Sequence, residues 1–122
     1  MKRILIIDDD PVIREIIKDC LEEKEASIEL ASNGLEGIEM HNKQPFDVII
    51  TDIVMPEMEG IELIMKLKKS NAQAGIIAIS GAGQSGPGEY LFMAKQLGVD
   101  KIHTKPLDTE KLSKDVDELL EK

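Results

Sequence analysis

Apolar and polar residues alternate along the chain in two patterns, one typical of strands and one typical of helices. Five short apolar runs rich in β-branched residues have the length of buried strands. They are RILII (3–7), ASIEL (26–30), FDVII (46–50), GIIAI (75–79) and KIHT (101–104). The third and fourth runs are almost continuously apolar, which is typical of strands that are covered on both faces.

The segments between these runs have the period of amphipathic helices. The clearest carries apolar residues three and four positions apart on one face, namely Ile13, Ile16, Ile17, Cys20 and Leu21. Asp10 precedes this helix as a predicted N-cap, and Pro11 suits its first turn. We therefore assign Asp10 to capping and interpret Cys20 as a buried, unreactive thiol.

Four further helices complete the pattern: one from Asn33 to about His41, one after Gly60, one from about Glu89 to Leu97, and one from Asp108. Glu36 stands at capping-box spacing from Asn33, and Gly98 is suited to end the third of these helices. Five alternations of strand and helix predict an α/β fold, a single doubly wound five-stranded parallel sheet with helices on both faces.

Composition narrows the functional class. A chain of 122 residues is expected to form one domain over residues 1–122, with no output domain. A net charge of −9 and an aromatic content of 2% argue against nucleic-acid binding. No apolar run approaches the roughly 20 residues of a membrane span, and three aspartates end the apolar start of the chain. We expect a cytoplasmic protein that binds neither nucleic acid nor membrane.

Polar residues mark the carboxyl end of four predicted strands. Asp8, Asp9 and Asp10 follow the first strand and Asp52 the third, whereas Ser80 ends the fourth and Lys105 follows the fifth. In an open α/β sheet, ligands bind beyond the carboxyl ends of the strands. Three acids, a hydroxyl and a lysine are therefore expected to converge if strands one and three are neighbours.

This set suits phosphoryl transfer assisted by a divalent cation. Mg²⁺ takes oxygen ligands from one or two carboxylates, phosphate oxygens and water. The transfer needs an in-line nucleophile and positive charge on the phosphoryl oxygens, and a carboxylate can be that nucleophile. We expect Asp52 to attack, Asp9 to anchor the metal, and Lys105 and Ser80 to hold the phosphoryl oxygens. His41 and His103 lack metal-ligand spacing and are interpreted as structural.

The motifs that carry these residues resemble the receiver family of response regulators. They are ILIIDDDPVIREII, DVIITDIVMPEMEGIEL, IIAISG and TKPLD, in that order along essentially the whole chain. Each piece alone is a weak signal, but together they are specific. The resemblance implies a flavodoxin-like sheet in the order 2-1-3-4-5. It also implies phosphorylation by a sensor histidine kinase or histidine phosphotransfer protein, and a downstream protein or output domain as the second partner.

The resemblance implies a role for each site residue. Asp52 is the phosphoacceptor, Ser80 the hydroxyl that moves toward the phosphoryl group, and Lys105 the lysine that pairs with it. Mg²⁺ is bound directly by Asp9, by Asp52 and by the backbone carbonyl of Val54, and through water by Asp8. Pro56 and Gly60 shape the loop after the acceptor, and Lys105-Pro106 corresponds to a cis-proline junction.

Two features depart from the family pattern. The stretch between Ser80 and Lys105 is longer than in typical receivers because of the loop GAGQSGPG at 81–88. Ile102 stands where many receivers have an aromatic residue whose rotamer reports phosphorylation. Coupling between the hydroxyl residue and an aromatic ring is therefore in question, and the output face is expected to signal by loop movement instead.

Three other functions are compatible with parts of the sequence. Asp8-Asp9-Asp10 contains the D-x-D of Mg²⁺-dependent phosphohydrolases with an aspartate nucleophile, although the chain has no room for their cap insertion. A phosphorylation-independent interaction module is disfavoured by the intact set of acids, serine and lysine. Gly81, Gly83 and Gly86 spell a dinucleotide fingerprint, but it follows the fourth strand instead of opening the fold.

Overall fold

The computed structural model describes residues 1–53, 60–70, 73–80 and 95–121. Its five strands are β1 (Lys2–Ile7), β2 (Ala26–Ala31), β3 (Val48–Asp52), β4 (Gly75–Ser80) and β5 (Lys101–Thr104). They form one parallel sheet in the order β2-β1-β3-β4-β5. The predicted fold class and strand order are therefore confirmed.

Four helices lie within the described residues: α1 (Pro11–Leu21), α2 (Gly34–Lys43), α3 (Gly60–Ser70) and α4 (Thr109–Leu120). None of the helices in the described ranges is both long and apolar enough to cross a membrane. The predicted helix from Glu89 to Leu97 lies mostly outside these ranges. Its described end is helical at residues 95–96, and Gly98 follows with a φ of +87°, as expected of a glycine that ends a helix.

Three of the helices begin at a polar N-cap: Asp10 and Asn33, which the sequence predicts as caps, and Asp108, which it predicts as the start of a helix. Asp10 accepts the amide two residues further on at 2.9 Å, and Asn33 and Asp108 accept the amide three residues further on at 2.8 and 3.1 Å. Glu36 completes only part of a capping box, because its carboxylate accepts the amide of Ser32 and not that of Asn33. These bonds satisfy amides that have no partner within the first turn of a helix.

The core has two layers because side chains on neighbouring positions of a strand point to opposite faces of the sheet. On β1, Leu5 and Ile7 pack with α2 and α3, whereas Ile4 and Ile6 pack with α1 and α4. The third strand starts two residues later than predicted, at Val48. Phe46 is buried and stacks on His41, but it precedes the strand ladder. At the other end, β3 extends through Asp52, which pairs with Ile79.

Candidate functional site

The predicted site residues meet at the carboxyl edge of the sheet, where β1 and β3 are neighbours. Ile7 pairs with Thr51, so Asp8 and Asp52 leave the two strands at the same level. Ser80 is the last residue of β4, and its backbone carbonyl accepts the amide of Lys105 at 2.9 Å. The topology thus brings the ends of four strands to one place, as the sequence predicts.

Three carboxylates and one ammonium group form the centre of this edge. One oxygen each from Asp8, Asp9 and Asp52 lies within 4.8 Å of the other two. Lys105 Nζ donates to Asp52 Oδ2 at 2.8 Å and lies 3.5 Å from Asp8 Oδ2. Asp8 and Asp52 are 1% and 5% exposed, whereas Asp9 is exposed to solvent. Two buried acids therefore share a single lysine.

Hydrogen bonds fix the backbone of Asp8 and one of its two carboxylate oxygens. Its amide donates to Ala31 O at 3.2 Å, its carbonyl accepts from Arg14 Nη1 at 2.6 Å, and its Oδ1 accepts from the Asp10 amide at 2.9 Å. Its Oδ2 is buried and accepts no hydrogen bond among the described residues, and its contact with Lys105 at 3.5 Å is an ion pair without a hydrogen bond. A buried carboxylate oxygen without a donor is costly, and a bound cation would relieve that cost.

The charges at this edge shift two pKa values. Burial raises the pKa of Asp8 to about 6, and the negative charges of Asp52 and Asp9 add to the rise against the opposing effects of the Asp10 amide and Lys105. Burial lowers the pKa of Lys105, but its hydrogen bond and attraction to Asp52 and its attraction to Asp8 outweigh burial, so that the net shift is upward. Lys105 therefore stays charged, while the ionised form of Asp8 is disfavoured.

The residues present fit a hard divalent cation. The donor set consists of carboxylate oxygens, which Mg²⁺ prefers, and the unsatisfied Asp8 Oδ2 lies among them. The predicted backbone ligand at Val54 and the predicted loop residue Pro56 lie outside the described residues, as do Gly81, Gly83 and Gly86. Gly60 is the first residue of α3. The predicted cis bond at Lys105-Pro106 is present.

The residues that sequence analysis assigned to structure have structural contacts. The carboxylate of Asp10 caps α1, as predicted. His41 Nδ1 accepts the Phe46 amide at 3.1 Å, and His103 Nε2 lies 2.7 Å from Asp115 Oδ2. Cys20 is half-buried between α1 and α4, where burial raises the pKa of its thiol. These four contacts place none of the residues among the three clustered acids.

Two residues near the site were missed by sequence analysis. Arg14 reaches back from α1 to the carbonyl of Asp8, and the Thr51 hydroxyl donates to the carbonyl of Asp52 at 2.9 Å. Both bonds are accepted by backbone carbonyls, and because every residue has a carbonyl, the sequence does not show which one will be used. The only sequence signal is position: Arg14 is four residues after the N-cap, and Thr51 directly precedes the acceptor.

Comparison with known proteins agrees with this geometry. The family model described as the response regulator receiver domain matches residues 4–117. The chemotaxis protein CheY of Halobacterium salinarum is 35% identical over 105 residues, which cover 86% of this chain and 85% of the relative. The chemotaxis protein CheY of Bacillus subtilis is 33% identical over 119 residues, which cover 97% of each chain.

Solved structures and one longer relative extend the comparison. A CheY-like receiver domain from Methanospirillum hungatei matches with a TM-score of 0.89 at 30% identity, covering 99% of this chain and 94% of that one. TrrA from Thermotoga maritima, a response regulator in complex with Mg²⁺-BeF, matches with a TM-score of 0.84 at 30% identity, covering 98% and 99%. The transcriptional regulatory protein GlrR of Escherichia coli is 30% identical over 118 residues, which cover 97% of this chain but 26% of that protein.

Proposed function

This chain belongs to the response regulator receiver family, and on that basis we propose that Asp52 is the residue that accepts its phosphoryl group. Phosphoacceptor signalling is the function of the family. The observation that carries the assignment is the position of Asp52 at the end of β3, buried, 2.8 Å from Lys105 and clustered with Asp8 and Asp9. The phosphohydrolase alternative finds no support among the relatives.

Asp8, Asp9 and Asp52 would hold Mg²⁺, with the backbone carbonyl of Val54 as a further proposed ligand. Support comes from the all-oxygen donor set and from the buried Asp8 Oδ2 that has no donor among the described residues. When bound, the cation supplies positive charge to the phosphoryl oxygens and to the attacking carboxylate. The related TrrA is described as a complex with Mg²⁺-BeF, which agrees with this proposal.

The protein groups would act as nucleophile, charge partner and hydrogen-bond donor. A carboxylate oxygen of Asp52 forms a bond to phosphorus while the bond from phosphorus to the donor breaks, and the donor leaves with that electron pair. The products are an acyl phosphate and a free histidine, or acetate when acetyl phosphate is the donor. Lys105, already beside Asp52, would then bond a phosphoryl oxygen, and the Ser80 hydroxyl would supply a second donor.

The proposed partners follow from the family. A sensor histidine kinase or a histidine phosphotransfer protein would supply the phosphoryl group, and a downstream protein or output domain would read the result. GlrR carries the matching region as about a quarter of a longer transcriptional regulatory protein. Ile102 is half-buried on β5 and pairs with Ala78 of β4, so any signal through this position would be carried by an aliphatic side chain.

The direct test is phosphorylation by a small donor, followed by mass measurement of the intact protein. Incubation with acetyl phosphate should add one phosphoryl group in Mg²⁺ and none with excess chelator. Asp52→Asn should remain unmodified, and Asp9→Asn should be modified far more slowly. Asp10→Asn is the matched control, since the Asp10 side chain bonds the Val12 amide, and it should behave as wild type. Equal labelling of wild type and Asp52→Asn would contradict the assignment.

A further inference from the structure

We infer that Arg14 is a positioning residue that sets the geometry of the acidic loop between β1 and α1. Its guanidinium Nη1 donates to the backbone carbonyl of Asp8 at 2.6 Å, spanning six residues of sequence. The bond is charge-assisted and short, which places it among the stronger protein hydrogen bonds. This inference rests on the metal role proposed above for Asp8 and Asp9.

Arg14 can hold the loop because its own backbone is fixed. Its amide donates to the carbonyl of Asp10 at 3.1 Å in the first turn of α1, and the Asp10 side chain caps the same turn. One turn further along, Ile17 is 1% exposed and anchors the helix in the core. The side chain of Arg14 therefore connects the fixed first turns of α1 to the backbone of the acidic loop.

The Arg14 bond acts on Asp8, which is one of the three clustered acids and directly precedes Asp9. Asp8 is bonded through its amide, its carbonyl and its Oδ1, and of these the carbonyl bond alone is made by a side chain. Loss of the Arg14 bond would let the Asp8 peptide rotate. Rotation would disturb the Asp10 amide that bonds Asp8 Oδ1, and it would also move Asp9, the next residue. Both carboxylates would then lose their fixed separation from Asp52.

Charge and position make opposite predictions for Mg²⁺ binding. A guanidinium group near a cation site repels the cation, so its removal should strengthen Mg²⁺ binding if charge alone mattered. If Arg14 acts by holding the Asp8 carbonyl, its removal should weaken binding. Groups that orient metal ligands typically change metal affinity by roughly ten- to a hundredfold when they are lost. The sign of the change therefore separates the two effects.

The experiment uses three variants. Arg14→Met keeps most of the aliphatic stem but has no donor and no charge. Arg14→Lys keeps the charge and a donor. Lys18→Met is the matched control, because Lys18 is a half-buried cation one turn further along α1 and makes no contact with the acidic loop among the described residues. All three change side chains that are not fully buried, so the fold should be retained.

The first measurement is made without metal and does not depend on the proposed function. Hydrogen exchange of the Asp10 amide should be roughly three- to tenfold faster in Arg14→Met than in wild type, because the bond to Asp8 Oδ1 opens more often. Lys18→Met should match wild type, and Arg14→Lys should lie between wild type and Arg14→Met. Unchanged exchange in Arg14→Met would overturn the positioning role whatever the metal does.

The second measurement is the Mg²⁺ dissociation constant, determined by calorimetric titration. We expect it to rise about tenfold in Arg14→Met, to recover partly in Arg14→Lys, and to stay within about twofold of wild type in Lys18→Met. Equal or tighter Mg²⁺ binding by Arg14→Met would overturn the inference. A wild-type protein that binds no Mg²⁺ would contradict the proposed function instead, and the exchange result would still decide whether Arg14 positions Asp8.

Discussion

The two edges of the sheet differ in how completely their charged side chains are paired. At the carboxyl edge, defined by Asp8, Asp9, Asp52 and Lys105, three carboxylates lie close together, and two of them, Asp8 and Asp52, contact Lys105. Asp8 Oδ2 accepts no hydrogen bond within the described part of the chain. At the amino edge, defined by Arg3 and the residues it touches, each charge has a partner. One edge is arranged for stability, and the other carries a charge imbalance.

Arg3 is the centre of the amino edge. Its guanidinium lies 2.9 Å from the Glu29 carboxylate. It also donates to the backbone carbonyls of Gln44 and Pro45, both at 3.3 Å, and lies 4.3 Å from the centre of the Phe46 ring. A groove nearby is lined by Asp47 and Asp100, but both carboxylates already accept backbone amides, at 2.8 and 2.9 Å. The hydrogen bonds to these two carboxylates therefore make the groove a poorer cation site than the carboxyl edge.

Within the described ranges, the amino side also has an unsatisfied buried group, and its chemistry differs from that of Asp8. His41 Nε2 has no hydrogen-bond partner among the described residues. Burial lowers the pKa of His41, so the ring stays neutral and the cost is that of a neutral N–H group. Asp8 instead buries a full charge at neutral pH. The unsatisfied group at the carboxyl edge is therefore a charged oxygen, and the cation proposed above would relieve its cost.

The largest expected difference between the two edges is the effect of removing Lys105. Its removal takes from Asp8 and Asp52 the lysine that both contact, and the loss of one partner from a largely buried ion pair should lower the metal-free free energy of unfolding by about 3 kcal/mol. Urea unfolding of Lys105→Met measures this loss, and Mg²⁺ should restore part of it. Lys101→Met is the control: Lys101 pairs with the exposed Glu118, so the loss should be much smaller. Equal losses would mean that Lys105 stabilises the buried acids no more than Lys101 stabilises the exposed Glu118, which would contradict the proposed charge imbalance.

At the amino edge, Arg3→Met should be a purely structural change. The variant loses one partly buried ion pair, two hydrogen bonds to carbonyls and a cation–π contact, which together are worth about 2 kcal/mol of unfolding free energy. Urea unfolding should show this decrease, while Lys2→Met, one position earlier on β1, should show little. Phosphorylation and Mg²⁺ affinity should be unchanged. A weaker Mg²⁺ affinity in Arg3→Met would mean that the two edges are not independent.

Much of this molecule follows from the sequence because periodicity and burial are local signals. The two-layer core was predictable from the continuous apolar runs, since a strand with Leu5 and Ile7 on one face and Ile4 and Ile6 on the other needs helices on both sides. The start of β3 was placed too early because Phe46 is apolar and belongs to the core, although the strand ladder begins only at Val48.

The site was predictable in position but not in energetics. Acids at the ends of β1 and β3 must meet once the two strands are neighbours, and the structure brings them together. Three features depend on rotamers and on contacts between elements, which the order of residues does not specify. They are the missing donor at Asp8 Oδ2, the sharing of Lys105 by two acids, and the Arg14 bond to the Asp8 carbonyl. The metal-binding roles of the three acids and the catalytic roles of Asp52, Ser80 and Lys105 stay predictions.

The pKa of Asp8 determines how metal-free stability should depend on pH. Burial raises this pKa from 3.8 to about 6, so between these values the native state binds a proton that the unfolded state has lost. Stability contributed by Asp8 is therefore present at low pH and lost as the pH rises through about 6. Asp8→Asn has no such proton. Its stability relative to wild type should be greater at about pH 7.5 than at about pH 5.

The most direct test is the thermal unfolding of wild type and Asp8→Asn at about pH 7.5, each with and without Mg²⁺. Without metal, Asp8→Asn should be more stable by about 1–2 kcal/mol, because the relief of the buried charge exceeds the lost attraction to Lys105. Saturating Mg²⁺ should stabilise wild type by roughly 2.7 kcal/mol at a hundred times its dissociation constant, and Asp8→Asn much less. Asp10→Asn should respond as wild type does. A metal-free Asp8→Asn that melts below wild type, or equal Mg²⁺ stabilisation of both proteins, would contradict the account.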